Sequence, residues 1–380
     1  MNIVFFAKYI NASGVSTHMY DLAAEYIKKG HDVTIISGGH NSEGARTIYN
    51  NYKKIGVNME DIPFPLKPTT SSRAFKDMFS LLVSLPKGLK SLKKIDPDII
   101  HVHWGITSYI PHYFKKISKV PFIQTVHTGN FPRSFFHKNA DGYIAISSEL
   151  ESLIKINIQG VKIRRIFNGS DPIIFQPIKD KRKRVFLKEK LGFSSNKLII
   201  GFVGSIIHRK GLDILLEAIS KEIVDKYNLG ILILGSGDNG YLEGLIVKNK
   251  LEEHLNHFEF QDPKDFYGIM DIFVLPSRKE GFALVCTEAM LTGVPVIRTD
   301  TEGAYDQIIH GKNGYICQSE NSTDLRKYLI KLLDDEVLRR NLGMSGRENA
   351  LNNFTKEKMA EETLSFYEDI ISRSDLAGGM

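Results

Sequence analysis

Apolar positions in this chain come in short unbroken runs separated by amphipathic stretches, and the alternation occurs twice. Asn2 to Ala7 (NIVFFA) is the first run. A loop follows, then a helix-competent segment from Ser16 to Lys29 that Gly30 ends. Asp32 to Ser37 (DVTIIS) is the next run. The spacing predicts strand, loop, helix, strand, with parallel strands joined by a crossover helix. Further strands are predicted at Gly56 to Ile62, Asp98 to His103, Phe122 to His127 and Gly142 to Ile146, with a long helix near Arg73 to Lys94. Runs this continuously apolar mark strands covered on both faces, as in a doubly wound sheet.

The texture changes at Asn168. NGSDPIIFQP is turn-rich, and Lys179 to Lys190 (KDKRKRVFLKEK) is a charge run, together read as a crossing between domains. A second alternation then begins. Its strands are predicted at Leu198 to Val203, Gly230 to Leu234, Phe258 to Gln261, Asp271 to Leu275, Val294 to Ile297 and Gly314 to Cys317, with helices after Lys210 and after Tyr241. Helices at Ser322 to Asp334, Glu336 to Asn352 and Thr355 to Ser372 follow, then a frayed tail, SDLAGGM. The expectation is an α/β protein of two Rossmann-like doubly wound domains, residues 1–170 and 171–354, with a last helix at about 355–380 packing back on the first. Two such domains leave a cleft, a usual place for a ligand.

Composition sharpens this picture modestly. Apolar content of 42% and charged content of 25% over 380 residues are ordinary for a globular protein of two or three domains. The net charge of +6 is uneven: residues 1–170 carry 22 basic against 12 acidic side chains, a balance of +10, and the remainder is acidic. No nucleic-acid motif accompanies the basic half, so anionic lipid or an acidic substrate fits it better. Cys286 and Cys317 sit in apolar segments and read as core residues in a reducing compartment. The amino terminus lacks the features of a signal peptide, and no run reaches the roughly 18 apolar residues of a membrane-spanning helix. A cytoplasmic protein, at most peripheral to a membrane, is expected.

The chemistry concentrates between Asp271 and Val296 (DIFVLPSRKEGFALVCTEAMLTGVPV), which reads as strand, loop, helix, turn, strand. Pro276 ends the strand, and Gly293 with Pro295 stops the helix. Glu280 lies on the loop, and Glu288 lies one turn inside the helix, roughly 6 Å along its axis. Between them the opening N–H groups of Ala283, Leu284 and Val285 suit a diphosphate. A carboxylate on each side suits hydroxyl groups, Glu280 for a sugar and Glu288 for a ribose.

Other candidates lie at the carboxyl ends of predicted strands. Asn11-Ala12-Ser13-Gly14-Val15 links the first strand to the first helix, without the dinucleotide fingerprint. In Gly201 to Gly211 (GFVGSIIHRKG), Arg209 and Lys210 are predicted to open a helix, where two cations oppose the dipole unless an anion binds. His127 ends its strand. His101 and His103 share one face of theirs, but no acid or cysteine is placed to complete a metal site, and none is assigned.

These segments together resemble the retaining GT-B glycosyltransferases of the glycosyl transferases group 1 family (glycosyltransferase family 4). The match is carried by Pro276, Ser277, Glu280, Gly281, Phe282, Glu288, Ala289, Gly293, Pro295 and Val296. PDIIHVHWG, the Asn168-Gly169 turn with Asp171, and Gly303 to Gly314 also resemble family segments. Departures are Ser13, Ser205 and Ala283, where the family usually has Gly, Arg and Gly, and Asp306 in place of Glu.

The resemblance implies a hexosyltransferase without metal or cofactor, moving a hexose from a nucleoside diphosphate sugar to a hydroxyl of a glycan or lipid-linked acceptor. A UDP-sugar and bacterial surface polysaccharide synthesis are favoured. It implies catalytic roles for His127, Glu280, Lys210 and Arg209. Donor contacts fall to Gly14, Ser205, Phe260, Gly281, Phe282, Ala283, Leu284, Val285 and Glu288. Lys87 to Lys94 and Lys115 to Lys119 are candidate contacts with an anionic membrane. The alternatives are an isomerase like UDP-N-acetylglucosamine 2-epimerase and a nucleotide-sugar-binding protein without catalysis.

Overall fold

The computed structural model describes the chain apart from residues 12, 41, 65–70, 130–136 and 379–380. Ala12, Asn130 and the end of the tail therefore lie outside the described residues. The chain divides into two compact units. The first comprises residues 1–168 and 356–380, and the second residues 169–355.

The first unit runs β1 (Asn2–Phe6), α1 (Gly14–Lys28), β2 (Asp32–Ser37), α2 (Glu43–Lys54), β3 (Asn58–Asp61), α3 (Ser71–Ile95), β4 (Ile99–Val102), α4 (Tyr109–Ser118), β5 (Phe122–Val126), β6 (Gly142–Ala145), α5 (Ser148–Asn157) and β7 (Lys162–Arg165). Its sheet has the order β3-β2-β1-β4-β5-β6-β7, and every neighbouring pair is parallel. Val4 in β1 stands opposite both Thr34 and Ile100, so the apolar first strand sits mid-sheet.

Four elements of this unit, α2, α4, α5 and β7, escape the sequence pattern. In β7 the residues are Lys-Ile-Arg-Arg, polar because the strand is an edge. In α2 the buried side chains among the described residues are Ala45, Tyr49 and Tyr52, set among polar positions.

The second unit runs α6 (Lys181–Lys190), β8 (Leu198–Val203), α7 (Leu212–Ala218), α8 (Lys221–Tyr227), β9 (Leu229–Leu234), α9 (Asn239–Asn249), β10 (Leu255–Phe258), α10 (Lys264–Ile269), β11 (Ile272–Leu275), α11 (Leu284–Leu291), β12 (Val296–Thr299), α12 (Ala304–Gln307), β13 (Tyr315–Cys317), α13 (Ser322–Asp334) and α14 (Glu336–Asn353). The sheet order is β10-β9-β8-β11-β12-β13, again parallel throughout.

The last helix, α15 (Lys356–Gly378), belongs to the first unit. It packs on α1 and buries Met359, Ala360, Phe366, Tyr367 and Ile370 in that unit's core. It runs to Gly378, so most of the expected frayed tail is helical.

Three local expectations need correction. The charge run is not a linker: it folds as α6 within the second unit, capped by Asp180, with Arg184 bound to Asp271. The strand expected at Phe258 to Gln261 ends at Phe258, and Glu259 to Gln261 leave the sheet. No regular helix begins at Lys210. His208 to Lys210 form one tight turn, Gly211 takes φ +71, and α7 starts at Leu212. A Cβ on Gly211 would stand 2.0 Å from the Pro276 carbonyl oxygen, so both backbone angle and space require glycine. Cys286 and Cys317 are free and buried. No described helix is long and apolar enough to cross a membrane.

Candidate functional site: paired loops of the second unit and a histidine cluster of the first

β8 and β11 are neighbours in the second sheet, so the loops leaving their carboxyl ends lie side by side. Arg278 fastens them together. Its backbone N–H donates to the Arg209 carbonyl at 2.9 Å, and its guanidinium donates to the His208 carbonyl and to both oxygens of Asp213, at 2.8 and 2.7 Å. Such a fork holds one geometry.

That clamp brings Lys210 onto Glu280. The Lys210 ammonium donates to Oε1 of Glu280, and Ser277 Oγ donates to the same oxygen at 2.9 Å. Arg209 stands further off, 3.8 Å from that oxygen, and donates to the Lys279 carbonyl at 2.6 Å. Burial alone would raise the Glu280 pKa. The charge and hydrogen bond of Lys210, with Ser277, outweigh it and hold the carboxyl below the usual range. Glu280 is therefore a carboxylate, with its second oxygen available for another donor.

α11 starts just beyond. Its N-cap is Ala283, whose methyl group cannot cap the first-turn N–H groups. Gln307 fixes this turn from behind, donating to the Ala283 carbonyl at 2.9 Å and to Thr287 Oγ1 at 3.1 Å. Phe282 is buried against Phe354, with ring centroids 5.1 Å apart, so its side chain is a packing anchor and only its backbone can serve a ligand. Gly281 stays half-buried beside it.

Glu288 lies deeper in α11. Tyr267 Oη donates to its Oε2 at 2.8 Å. Burial pushes the Glu288 carboxyl up to about 7, against the Tyr267 hydrogen bond and with a smaller upward push from Asp262. The two glutamates thus differ in charge behaviour: one is fixed as an anion, the other is poised near neutrality. The remaining second-unit candidates sit on the rim. Ser205 is exposed after Gly204, and Phe260 has 58% of its surface exposed, with its N–H donating to Ser236 Oγ at 3.0 Å.

In the first unit, Gly14 is the first residue of α1. Ser13, where the resemblance expects glycine, is its N-cap: Ser13 Oγ accepts from the Ser16 N–H and donates to Asn11 Oδ1 at 2.7 Å. This departure therefore has a structural use.

His127 follows β5 and meets two further imidazoles. Its Nε2 is 3.3 Å from His103 Nδ1, the two rings stack, and His18 from α1 packs edge-on with centroids 4.9 Å from His127. Burial, then the neighbouring imidazoles His18 and His101, hold His127 well below the usual pKa, so it is neutral. His101 is separate in role. Its nitrogens are bonded to Tyr367 Oη and Thr125 Oγ1 at 2.6 and 2.7 Å.

Residues 183–349 match the family model described as "Glycosyl transferases group 1", and residues 12–172 that described as "Glycosyltransferase Family 4". The chain is 30% identical over 303 residues to spore coat protein SA of Bacillus subtilis, covering 73% of this chain and 80% of that one. This chain belongs to the glycosyl transferases group 1 family. It is also 30% identical over 239 residues to the capsular polysaccharide biosynthesis glycosyltransferase CapM of Staphylococcus aureus, 60% of each chain. The fold resembles that of HepE from Anabaena, solved in complex with UDP, with TM-score 0.81, 18% identity, and coverage of 97% of this chain and 100% of that one. The fold is GT-B and the activity is that of a glycosyltransferase, which sets aside the isomerase and binding-only readings.

Within this glycosyltransferase several supporting residues carry no local signal. Ser277 matches a family motif, yet its bond to Glu280 is not readable from sequence. Tyr267, Arg278 and Asp213 act through contacts far apart in the chain. His18 had one available clue: it lies four residues after Gly14, one turn along α1.

Proposed function

We propose that this glycosyltransferase is a retaining hexosyltransferase that uses a UDP-sugar and needs no metal. The observation that carries the reading is the uncapped first turn of α11, flanked by the Glu280 carboxylate with Lys210 and by buried Glu288. The N–H groups of Ala283, Leu284 and Val285, with Lys210 and Arg209, stabilise charge that grows on the leaving diphosphate. Lys210 and Arg209 take the place a divalent cation would otherwise fill. Glu280 accepts from a sugar hydroxyl through its second oxygen, and Glu288 accepts from the ribose. Phe260 offers an exposed ring edge for the base.

His127 bonds a sugar hydroxyl. Its neutrality matters, since an imidazolium would oppose positive charge developing at the anomeric carbon. No side chain is assigned as a covalent nucleophile. The acceptor hydroxyl attacks the face the leaving group vacates, and its proton passes to the departing phosphate oxygen. A nucleotide-sugar donor and a glycan acceptor are supported by the family and by CapM's role in capsule synthesis.

The acceptor is proposed to be carried at an anionic cytoplasmic membrane surface. Lys87, Lys90, Lys93 and Lys94 are exposed on α3, and Lys116 and Lys119 are exposed at the end of α4 beside exposed Ile117. Flotation with anionic liposomes at low salt tests this, and absence of binding removes it.

The donor assignment is tested by thermal shift and slow hydrolysis with UDP-glucose, UDP-N-acetylglucosamine, UDP-galactose and GDP-mannose in the presence of chelator. One UDP-sugar both stabilising the protein and being hydrolysed is expected. A response to GDP-mannose alone, or only with added divalent metal, overturns the corresponding part.

A further inference from the structure

His18, His103 and His127 come from three different elements, α1, the end of β4 and the end of β5, and converge on one point. One ring nitrogen from each lies within 4.8 Å of the other two. His18 and His103 are 2% and 4% exposed. Neither nitrogen of His18, nor Nε2 of His103, meets a hydrogen-bond partner among the described residues. Burial holds the His18 imidazole down to about 4 against a smaller upward pull from nearby Asn168, which does not reach bonding geometry. Buried polar nitrogens without partners are costly, by about 1–3 kcal/mol each in general. Neighbouring His101 shows the ordinary solution, with both nitrogens bonded to hydroxyl groups. In the other three, His103 Nδ1 and His127 Nε2 share a hydrogen bond, and a nitrogen of His18 faces that pair without a partner.

We propose that these three imidazoles form a binding site for a borderline transition-metal cation of the zinc class. Imidazole nitrogen suits zinc, cobalt, nickel and copper, and three protein nitrogens with one open position is an established way to hold zinc. Metal–nitrogen bonds of about 2.0–2.1 Å put tetrahedral ligand nitrogens roughly 3.3 Å apart. His103 Nδ1 and His127 Nε2 are already at 3.3 Å. Small ring rotations, closing the widest separation by about 1–1.5 Å, complete the set. No carboxylate or thiolate belongs to the group among the described residues, so water takes the fourth position. His127 is the partly exposed member and gives access.

Occupation takes His127 Nε2 and pins the ring, leaving only its Nδ1–H to meet a sugar as a donor. The metal is thus an inhibitor and not a cofactor, a consequence that rests on the proposed role of His127. The binding claim itself does not depend on it.

Cobalt(II) titration of the full chain, stripped with chelator and dialysed, is the test. The expected result is one equivalent bound with the intense visible bands of four-coordinate cobalt, displaced by zinc. His18→Gln and His127→Gln should each weaken binding at least about tenfold, as loss of one of three ligands requires. His127→Gln alters a partly exposed position, so it guards against misfolding of the buried His18 variant, and melting curves confirm that both fold. Weak six-coordinate bands, or equal affinity in wild type and both variants, overturn the site. Donor turnover by wild type in chelator reports separately on the function. Zinc should slow that turnover severalfold, and unchanged turnover with metal bound overturns the inhibitory role.

Discussion

Tyr267 Oη donates a 2.8 Å hydrogen bond to Oε2 of Glu288, inside the second unit and away from solvent. Burial pushes this carboxyl up to about 7 even though the Tyr267 bond opposes the rise. Only the ionised form can accept from a ribose on both oxygens while keeping Tyr267 as a donor. UDP affinity should therefore fall as pH drops below about 7, approaching tenfold per unit, with proton release on binding. Glu288→Gln should flatten the profile and Tyr267→Phe should move it to higher pH, as read by calorimetric titration of UDP across pH 5.5–8.5, roughly two units about that midpoint. A wild-type profile without a break near 7 counts against a ribose role for Glu288.

The same group makes a stability prediction of opposite slope. The unfolded carboxyl loses its proton near 4.5, whereas the folded one keeps it until about 7. Within that window the folded state binds more protons, so this group's contribution to stability declines as pH rises from 4.5 to 7. Relative to wild type, Glu288→Gln should gain stability over that interval, measured by urea unfolding at pH 5 and pH 7, taken as roughly the two ends of it.

Lys210 and Glu280 have side chains only 13% and 11% exposed. Lys210→Met leaves a buried carboxylate without its cation, and a loss of about 3–5 kcal/mol is expected. The double variant with Glu280→Gln should recover much of that stability and none of the transfer activity. Recovery of both would make the pair structural only.

Tyr367 offers a contrast. It joins α15 to buried His101 at 2.6 Å. Tyr367→Phe should destabilise the first unit by about 1–3 kcal/mol through the orphaned imidazole nitrogen. Turnover at permissive temperature should stay at the wild-type level. A large fall in turnover in the folded variant would show that His101 orientation reaches the chemistry.

The parallel sheets were legible because strands buried on both faces write unbroken apolar runs. Glu280 and Glu288 were legible because the strand, loop and helix that place them are contiguous. The pairing of Lys210 with Glu280 was not, since 70 positions separate them and no periodicity links them. Lys210 reads as half of a cation pair awaiting phosphate, whereas the fold already gives it a carboxylate. β7 was hidden by its edge position, and α6 was misread because a helix anchored by Arg184 and Lys188 looks like a solvated charge run. Histidine spacing at the end of β4 places His101 and His103 on one face, but His101 bonds Tyr367 and Thr125, and the imidazoles that meet His103 from elsewhere are His18 of α1 and His127 just after β5.

The central claim is that this glycosyltransferase moves a hexose with retention from a nucleotide donor without metal. Proton NMR of the product formed in chelator, from the donor that the hydrolysis screen selects, tests it most directly. The account predicts that the new anomeric bond keeps the donor's configuration and that Glu280→Gln forms product at least about a hundredfold more slowly, as for loss of an interaction made at the reacting sugar. An inverted anomeric centre, or product formed only after divalent metal is added, would contradict it.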